Sequence, residues 1–300
     1  MAAITVNPLA KGTMFPPAIV ADLVSKVRGT SALARLSDEE PVPFNGKTEM
    51  LFDMPNEIDI VAENGAKAHG GITVTPVNIV PVKFEYGARV SDEFMYAAEE
   101  ERLNYLRRFN EGFSRKVARG LDLAAFHGVN PRTGSASTVI GTNNFDSLVT
   151  TNVVTYNGST PDANLEAAIA AVDTKYETTG IAMSSVMGAA MGAMNASGVK
   201  LYPEFSFGGK PAELRGMAVA VNPTVTGGTS PAVHAYVGNF RDFFRWGYAK
   251  EIPFEIIPYG DPDNSGSDLK GHNQVYLRAE IYIGWGILDQ TAFARVKASA

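Results

Sequence analysis

The sequence predicts an α+β chain organised round one long helix, and three observations carry that prediction. Ser91 to Gly128 reads as a single amphipathic helix of about 35 residues, roughly 50 Å long at 1.5 Å per residue. Runs rich in aromatic and β-branched residues occupy 45–90 and 240–300 and read as strands. Between about 160 and 239, short helices and strands alternate as in a compact α/β unit.

Residues 1–44 read as an extended arm with a short helix in AIVADLVSKVRG, where Ile19, Leu23 and Val27 recur at four-residue spacing and Gly29 ends the run. Pro41 and Pro43 follow SALARL. Residues 45–90 read as a long β-hairpin. KTEMLFDM is its first strand and ITVTPVNIVPVKFEYGARV its return, with Pro76 and Pro81 marking edges or bends because proline cannot donate to a ladder. Asn64-Gly65 and Gly70-Gly71 signal turns between them. A two-stranded ribbon is marginal alone in water, so a second chain is its natural support.

In the long helix, Ser91 can cap the start, and Asp92 and Glu93 suit the first turn, where the dipole favours negative charge. Gly128 suits the left-handed position past its end, and Pro131 blocks continuation. At about 100° per residue, Leu103, Leu106, Phe113, Val117, Leu121 and Ala124 share one stripe, with Phe94, Ala98, Tyr105 and Phe109 beside it. Asn104, Arg107, Arg108, Glu111, Arg115 and Asp122 fill the opposite arc. Apolar residues cover half the circumference, more than a simple surface helix needs. The element reads as a structural beam.

Residues 129–160 read as loop. A second helix starts at Thr160-Pro161, buries Leu165, Ala168, Ile169 and Val172, and is closed by Gly180. IAMSSVM reads as a strand, GAAMGAMNA as a short helix and LRGMAVAVNPTV as a strand. HAYVGNF, DFFRWGYA, PFEIIPY and QVYLRAEIYIGWGIL then read as strands, with the polar loop DPDNSGSDLKGHN before the last.

With 45% hydrophobic and 19% charged residues among 300, the composition is globular. A net charge of −6 argues against a chain whose main task is gripping nucleic acid. Arg107, Arg108, Arg115, Lys116 and Arg119 supply a local basic patch, whose mixed surroundings read as a solvated face balanced by nearby acids. Cysteine is absent, which removes disulfides and thiolate chemistry and fits a reducing cytoplasm. No signal peptide and no run of 18 apolar residues is present, so no membrane partner is expected.

Catalytic constellations are missing. His69, His127, His234 and His272 show no HExxH-like spacing and read as loop or surface residues. No P-loop, GxGxxG or GxSxG motif occurs. Asp261 and Asp263 lie in a Gly/Ser-rich loop, where solvated turn residues are the ordinary explanation and a weak Ca²⁺ site the other. Phe240, Phe243, Phe244 and Trp246 read as core. No catalytic, cofactor or metal residue is assigned, and the chain is not read as an enzyme.

Several stretches, in order over about 40–297, resemble the major capsid proteins of tailed bacteriophages, the HK97-type fold. AENGAKAHGGITVTPVNIVPVKFEYGARVSDEF is similar to that family's extended loop leading into its spine helix, and DLAAFHGVNPRTG to the end of that helix. GVKLYPEFSFGGKPAELRGMAVAVNP is similar to a helix-to-strand link, with Met217-Ala218 in place of the usual proline region. VGNFRDFFRW and VYLRAEIYIGWGILDQTAFARV resemble the closing strands. The resemblance implies an N-terminal arm (1–44), an extended loop (45–88), a peripheral domain (89–150 with 240–300) and an axial domain (151–239). It implies a virion protein assembled in the host cytoplasm. Hexamers and pentamers would close into an icosahedral shell round double-stranded DNA held without sequence specificity. The arm is too short to hold a large scaffolding segment, so a separate scaffolding protein is expected; a portal and a decoration protein are the further partners. Ile58, Ile60, Val61, Glu63, Lys67 and Ile72 are the expected intersubunit residues. Some relatives crosslink loop lysines to asparagines, and for Lys67 an ordinary ion-pairing role is preferred. The alternatives are a nanocompartment shell of the same fold and a β-rich carbohydrate-binding or hydrolytic protein.

Overall fold

The computed structural model describes residue 27 and residues 30–96, 99–227 and 231–299. The helix read from Ile19 to Val27 lies outside them except for Val27, which is buried. The first described helix, α1 (Ala32–Leu36), is capped by Ser31, whose hydroxyl accepts from the Ala34 N–H. Strand β1 (Lys47–Asp53) pairs antiparallel with β2 (Thr73–Ile79), Met50 opposite Pro76 and Phe52 opposite Val74.

The return strand does not run on to residue 90 in the same ribbon. It breaks at Val80-Pro81, and β3 (Val82–Ser91) crosses into a different sheet. Proline lacks the N–H that a continuous ladder needs there. The strand also passes through position 88, where the loop boundary was drawn. A 3₁₀ turn, Asp92–Tyr96, comes next, and then the long helix α2 (Glu99–His127). The predicted α-helical start at Ser91 is therefore corrected. Ser91 is still paired opposite Gln274, and the Asp92 N–H donates to the Asn273 carbonyl at 2.9 Å, so this backbone is committed to a sheet. The far end is as read: Gly128 has φ of +66°, and its N–H donates to the Ala124 carbonyl.

Residues 129–160 are not all loop, for they hold α3 (Phe145–Leu148) and β4 (Val153–Thr155). Next come α4 (Pro161–Asp173), β5 (Gly180–Met183) and α5 (Ser185–Ala193). Gly180 opens β5 rather than closing a helix. The helix has already ended at Asp173, whose carboxylate accepts from the Thr178 N–H and hydroxyl. A small hairpin, β6 (Asn195–Ala196) and β7 (Val199–Lys200), precedes β8 (Glu213–Leu214), β9 (Met217–Val221), β10 (Val233–Gly238) and α6 (Phe240–Phe243). The two strands read in 242–259 are one, β11 (Phe244–Ile257), which tolerates Pro253 at a register shift between Ile252 and Glu255. Finally come β12 (Gln274–Ile287) and β13 (Phe293–Lys297).

Two sheets carry the fold. The first is three-stranded, ordered β11-β12-β3. Val275, Leu277, Ala279, Ile281, Ile283, Trp285 and Ile287 project from β12 into the core that also buries Phe113, Val117 and Leu121 of α2. That alternation is the period of two that places one strand face against a helix. The second sheet has six strands, ordered β4-β13-β10-β5-β9-β8. Ile181, Met183, Val219, Val221, Ala235 and Val237 pack with Leu165, Ala168 and Val172 of α4 and with Met187 and Met191 of α5. Their neighbours Ala182, Ala220 and Tyr236 belong to the core beneath α2. Both faces of this sheet are thus covered, which is why its strands read as continuous apolar runs.

The arm is tied to this frame. Glu40 N donates to the Trp246 carbonyl and Val42 N to the Tyr248 carbonyl, so residues 39–42 lie along the β11 edge. A Cβ at Gly247 would fall on the Glu40 carbonyl oxygen, so this close approach needs glycine. Gly284 and Gly286 of β12 likewise leave room for the buried Ile79 at the foot of the ribbon.

Candidate intersubunit surface and buried junction

Ile58, Ile60, Val61, Glu63, Lys67 and Ile72 all lie beyond the β1–β2 ladder, in the exposed segment 54–72. Ile58 and Ile60 are 94% and 96% exposed. The segment is organised by turns. Gly65 N donates to the Ala62 carbonyl at 2.8 Å, Asn64 has φ of +63°, and Gly71 N donates to Asn56 Oδ1 at 3.0 Å. The described residues give Ile58 and Ile60 almost no cover, while Ile72 and Val61 are 64% and 41% exposed. The structure adds residues that the sequence reading did not select. Met50, Phe52, Val74 and Pro76 share the outward face of the ladder, and all are exposed. The alternation of Met50, Phe52 and Met54 in KTEMLFDM was the signal that could have found them.

The second site is interior. Asp122, read from the helical period as part of the outer polar arc, is completely buried. Its carboxylate accepts from Ser31 Oγ at 2.5 Å, Ala32 N at 2.9 Å, Leu33 N at 3.2 Å and Thr224 Oγ1 at 2.8 Å. An acid on the long helix therefore satisfies the free N–H groups at the start of α1. Burial pushes its pKa up, against the lowering effect of those hydrogen bonds.

One turn further on, His127 is buried rather than on a loop or surface. Its Nδ1 is 2.7 Å from Asp146 Oδ2 and its Nε2 is 3.0 Å from the Thr224 carbonyl oxygen. Both partners accept, so the ring satisfies them together only with a proton on each nitrogen. Asp146 also accepts from the Tyr236 hydroxyl and from Arg295 Nη1, each at 2.9 Å. Burial works to raise the Asp146 pKa, but hydrogen bonds from His127 and Tyr236 and the Arg295 charge outweigh it and hold the carboxyl low. Burial and the Asp146 charge push the Tyr236 hydroxyl well above its ordinary range. A His–Asp pair is what general-base catalysis uses. Here the second ring nitrogen is spent on a backbone carbonyl, which leaves none for a substrate. Phe145 packs beneath, with ring centroids 4.9–5.9 Å from Phe126, Tyr236, Phe240, Phe244 and Phe293. His234 is buried as well, stacked on Tyr156 at 3.8 Å. His69 and His272 are exposed, as read.

The loop acids do not form a cation site. Arg89 of β3 lies between Asp261 at 2.7 Å and Asp263 at 2.6 Å and also donates to Ser265 Oγ and the Ser267 carbonyl. The guanidinium occupies the place that a cation would take, and it holds Asp263 far below the usual carboxylate range. Among the described residues, no group of three or more His, Asp or Glu side chains could hold a metal ion, and no helix is long and apolar enough to cross a membrane.

A model of the phage capsid family matches residues 11–298. The solved structure from Mycobacterium phage Ogopogo is 34% identical, with a TM-score of 0.76 over 90% of this chain and 92% of that one. That from Gordonia phage Cozz is 24% identical, with a TM-score of 0.74 over 90% and 87%. A capsid of an empty GTA particle computed with C5 symmetry is 16% identical, with a TM-score of 0.64 over 90% of each chain. A comparison with curated proteins finds no match.

Proposed function

The chain belongs to the phage capsid family, with its HK97-type fold, and from that premise we propose how this subunit takes its place in a shell. It is a structural major capsid protein of an icosahedral virion coat. Neither the nanocompartment shell nor the β-rich carbohydrate-active protein is favoured. The coat is built from hexamers and pentamers, assembled in the host cytoplasm with a separate scaffolding protein. It is joined by a portal, takes a decoration protein, and encloses double-stranded DNA. Residues 1–44 act as arm, 45–88 as extended loop, 89–150 with 240–300 as peripheral domain, and 151–239 as axial domain.

The observation that carries the reading is the uncovered apolar ribbon. Ile58, Ile60, Val61 and Ile72, with Phe52 and Met54, lie on a neighbouring copy, while Glu63 and Lys67 make ionic contacts there. Burying one such side chain is worth about 1.5–3 kcal/mol, so a few of them outweigh a surface ion pair at about 0–1 kcal/mol. Deleting residues 54–72 tests this. The variant should remain a folded subunit that forms no shells under negative-stain microscopy; normal shells would refute the role. Denaturing gels of mature particles should show Lys67 uncrosslinked, as monomer bands.

A further inference from the structure

Along α2, Arg107, Arg108, Arg115, Lys116 and Arg119 are all exposed. The sequence pattern pointed to a face balanced by nearby acids, but none of the five side chains hydrogen-bonds or ion-pairs with a described residue. Glu101 and Glu111 are the exposed acids nearest them on the helix. At about 100° per residue, Arg108, Arg115 and Arg119 fall on one line, with Arg107 about 100° to one side of it and Lys116 about 80° to the other. The row is about 18 Å long, the axial length over which a DNA duplex presents about ten phosphate charges.

We propose that this face of α2 binds the phosphate backbone of duplex DNA without reading its sequence. The proposal rests on the reading that the shell encloses DNA. Chemistry favours phosphate over a protein partner. Every exposed residue from 107 to 119 is charged, so the row offers no aromatic or aliphatic anchor of the kind that dominates protein interfaces. Four of the five cations are arginines, whose planar fork matches pairs of phosphate oxygens. The row is a local exception on a chain of net charge −6. Contact is thereby confined to one face, and DNA can be held loosely across many copies.

The test is a salt titration of the full-length chain with a mixed-sequence duplex of roughly 30 base pairs, followed by fluorescence anisotropy. Each phosphate neutralised adds about −0.9 to the slope of log K against log salt, so five contacts give about −4.5. The triple variant Arg108→Gln, Arg115→Gln, Arg119→Gln should flatten that slope by about 2.7, and the matching Lys variant should restore it. All three side chains are exposed, and unchanged circular dichroism checks the fold. No binding by the parent chain, or an equal slope in the Gln variant, overturns the proposal. So does tighter binding of a polyglutamate peptide than of duplex, which would make the partner an acidic protein. Nucleic acid protected from nuclease inside purified particles is measured in parallel. Its presence with an unchanged slope sinks the basic face alone, while its absence sinks the packaging reading and this proposal with it.

Discussion

Replacing Asp122 by alanine tests whether the long helix holds the arm in place. The substitution removes the acceptor for two buried backbone donors, Ala32 N and Leu33 N. Each orphaned donor costs about 1–3 kcal/mol. The hydroxyls of Ser31 and Thr224 can rotate to other acceptors and are left out of the count. Burial of the carboxylate is itself unfavourable, as its raised pKa records, so its removal offsets part of the loss. The expected net destabilisation is about 2–4 kcal/mol, in the lower part of the range that two such donors set. Urea unfolding of dissociated subunits would read it through Trp246 and Trp285, both buried. The pH dependence gives a second, independent reading. A carboxyl raised in the folded state contributes stability that is complete below its ordinary value of 3.8 and is lost as pH rises through the folded value. Asp122→Asn lacks that dependence, so the gap between parent and Asn variant should be widest in acid and should narrow as pH rises. A loss for Ala under about 1 kcal/mol, or a gap that widens with pH, would refute the reasoning.

Three further outcomes are expected. Asp146 is held low, so its contribution is present above the ordinary carboxylate range and is lost as pH falls through its folded value. Asp146→Asn should flatten that acid limb in a pH series of urea midpoints. Gly247→Ala places a methyl on the Glu40 carbonyl, which should free residues 38–44 to limited proteolysis while the two sheets remain. Arg89→Leu removes the cation between Asp261 and Asp263, so amide exchange should quicken across 260–268 and change little in β10 or β13.

The periodic elements were legible because their physics is local. The long helix follows from its apolar stripe and its terminal glycine, and the ribbon follows from its two turn signals. The errors arose where a distant segment decided the outcome. A helical wheel places Asp122 outside because the wheel has no knowledge of the arm that crosses it. Ser91 is a good helix cap by residue type, yet pairing with β12 claims its backbone first. His127 stands just before a glycine and reads as surface. It is buried only because the 223–225 turn and α3 close over it from elsewhere in the chain. The exposed ribbon residues were found as hydrophobic residues in a turn-rich stretch. The ladder residues next to them were missed, because the face that Met50 and Phe52 share with Val74 and Pro76 is fixed by cross-strand register.

The place of β13 governs when a subunit can be complete. It lies between β4 and β10 and is, among the described residues, the sole sheet partner of β4, and its Arg295 closes the ring of polar contacts on Asp146. This strand leaves the ribosome after every other strand in the sheet. Until it does, β4 lacks the strand it pairs with and the carboxylate lacks its contact to Arg295. A polypeptide that stopped short of Phe293 would therefore carry a split sheet. Such a piece would lack a finished second sheet before it could join a shell.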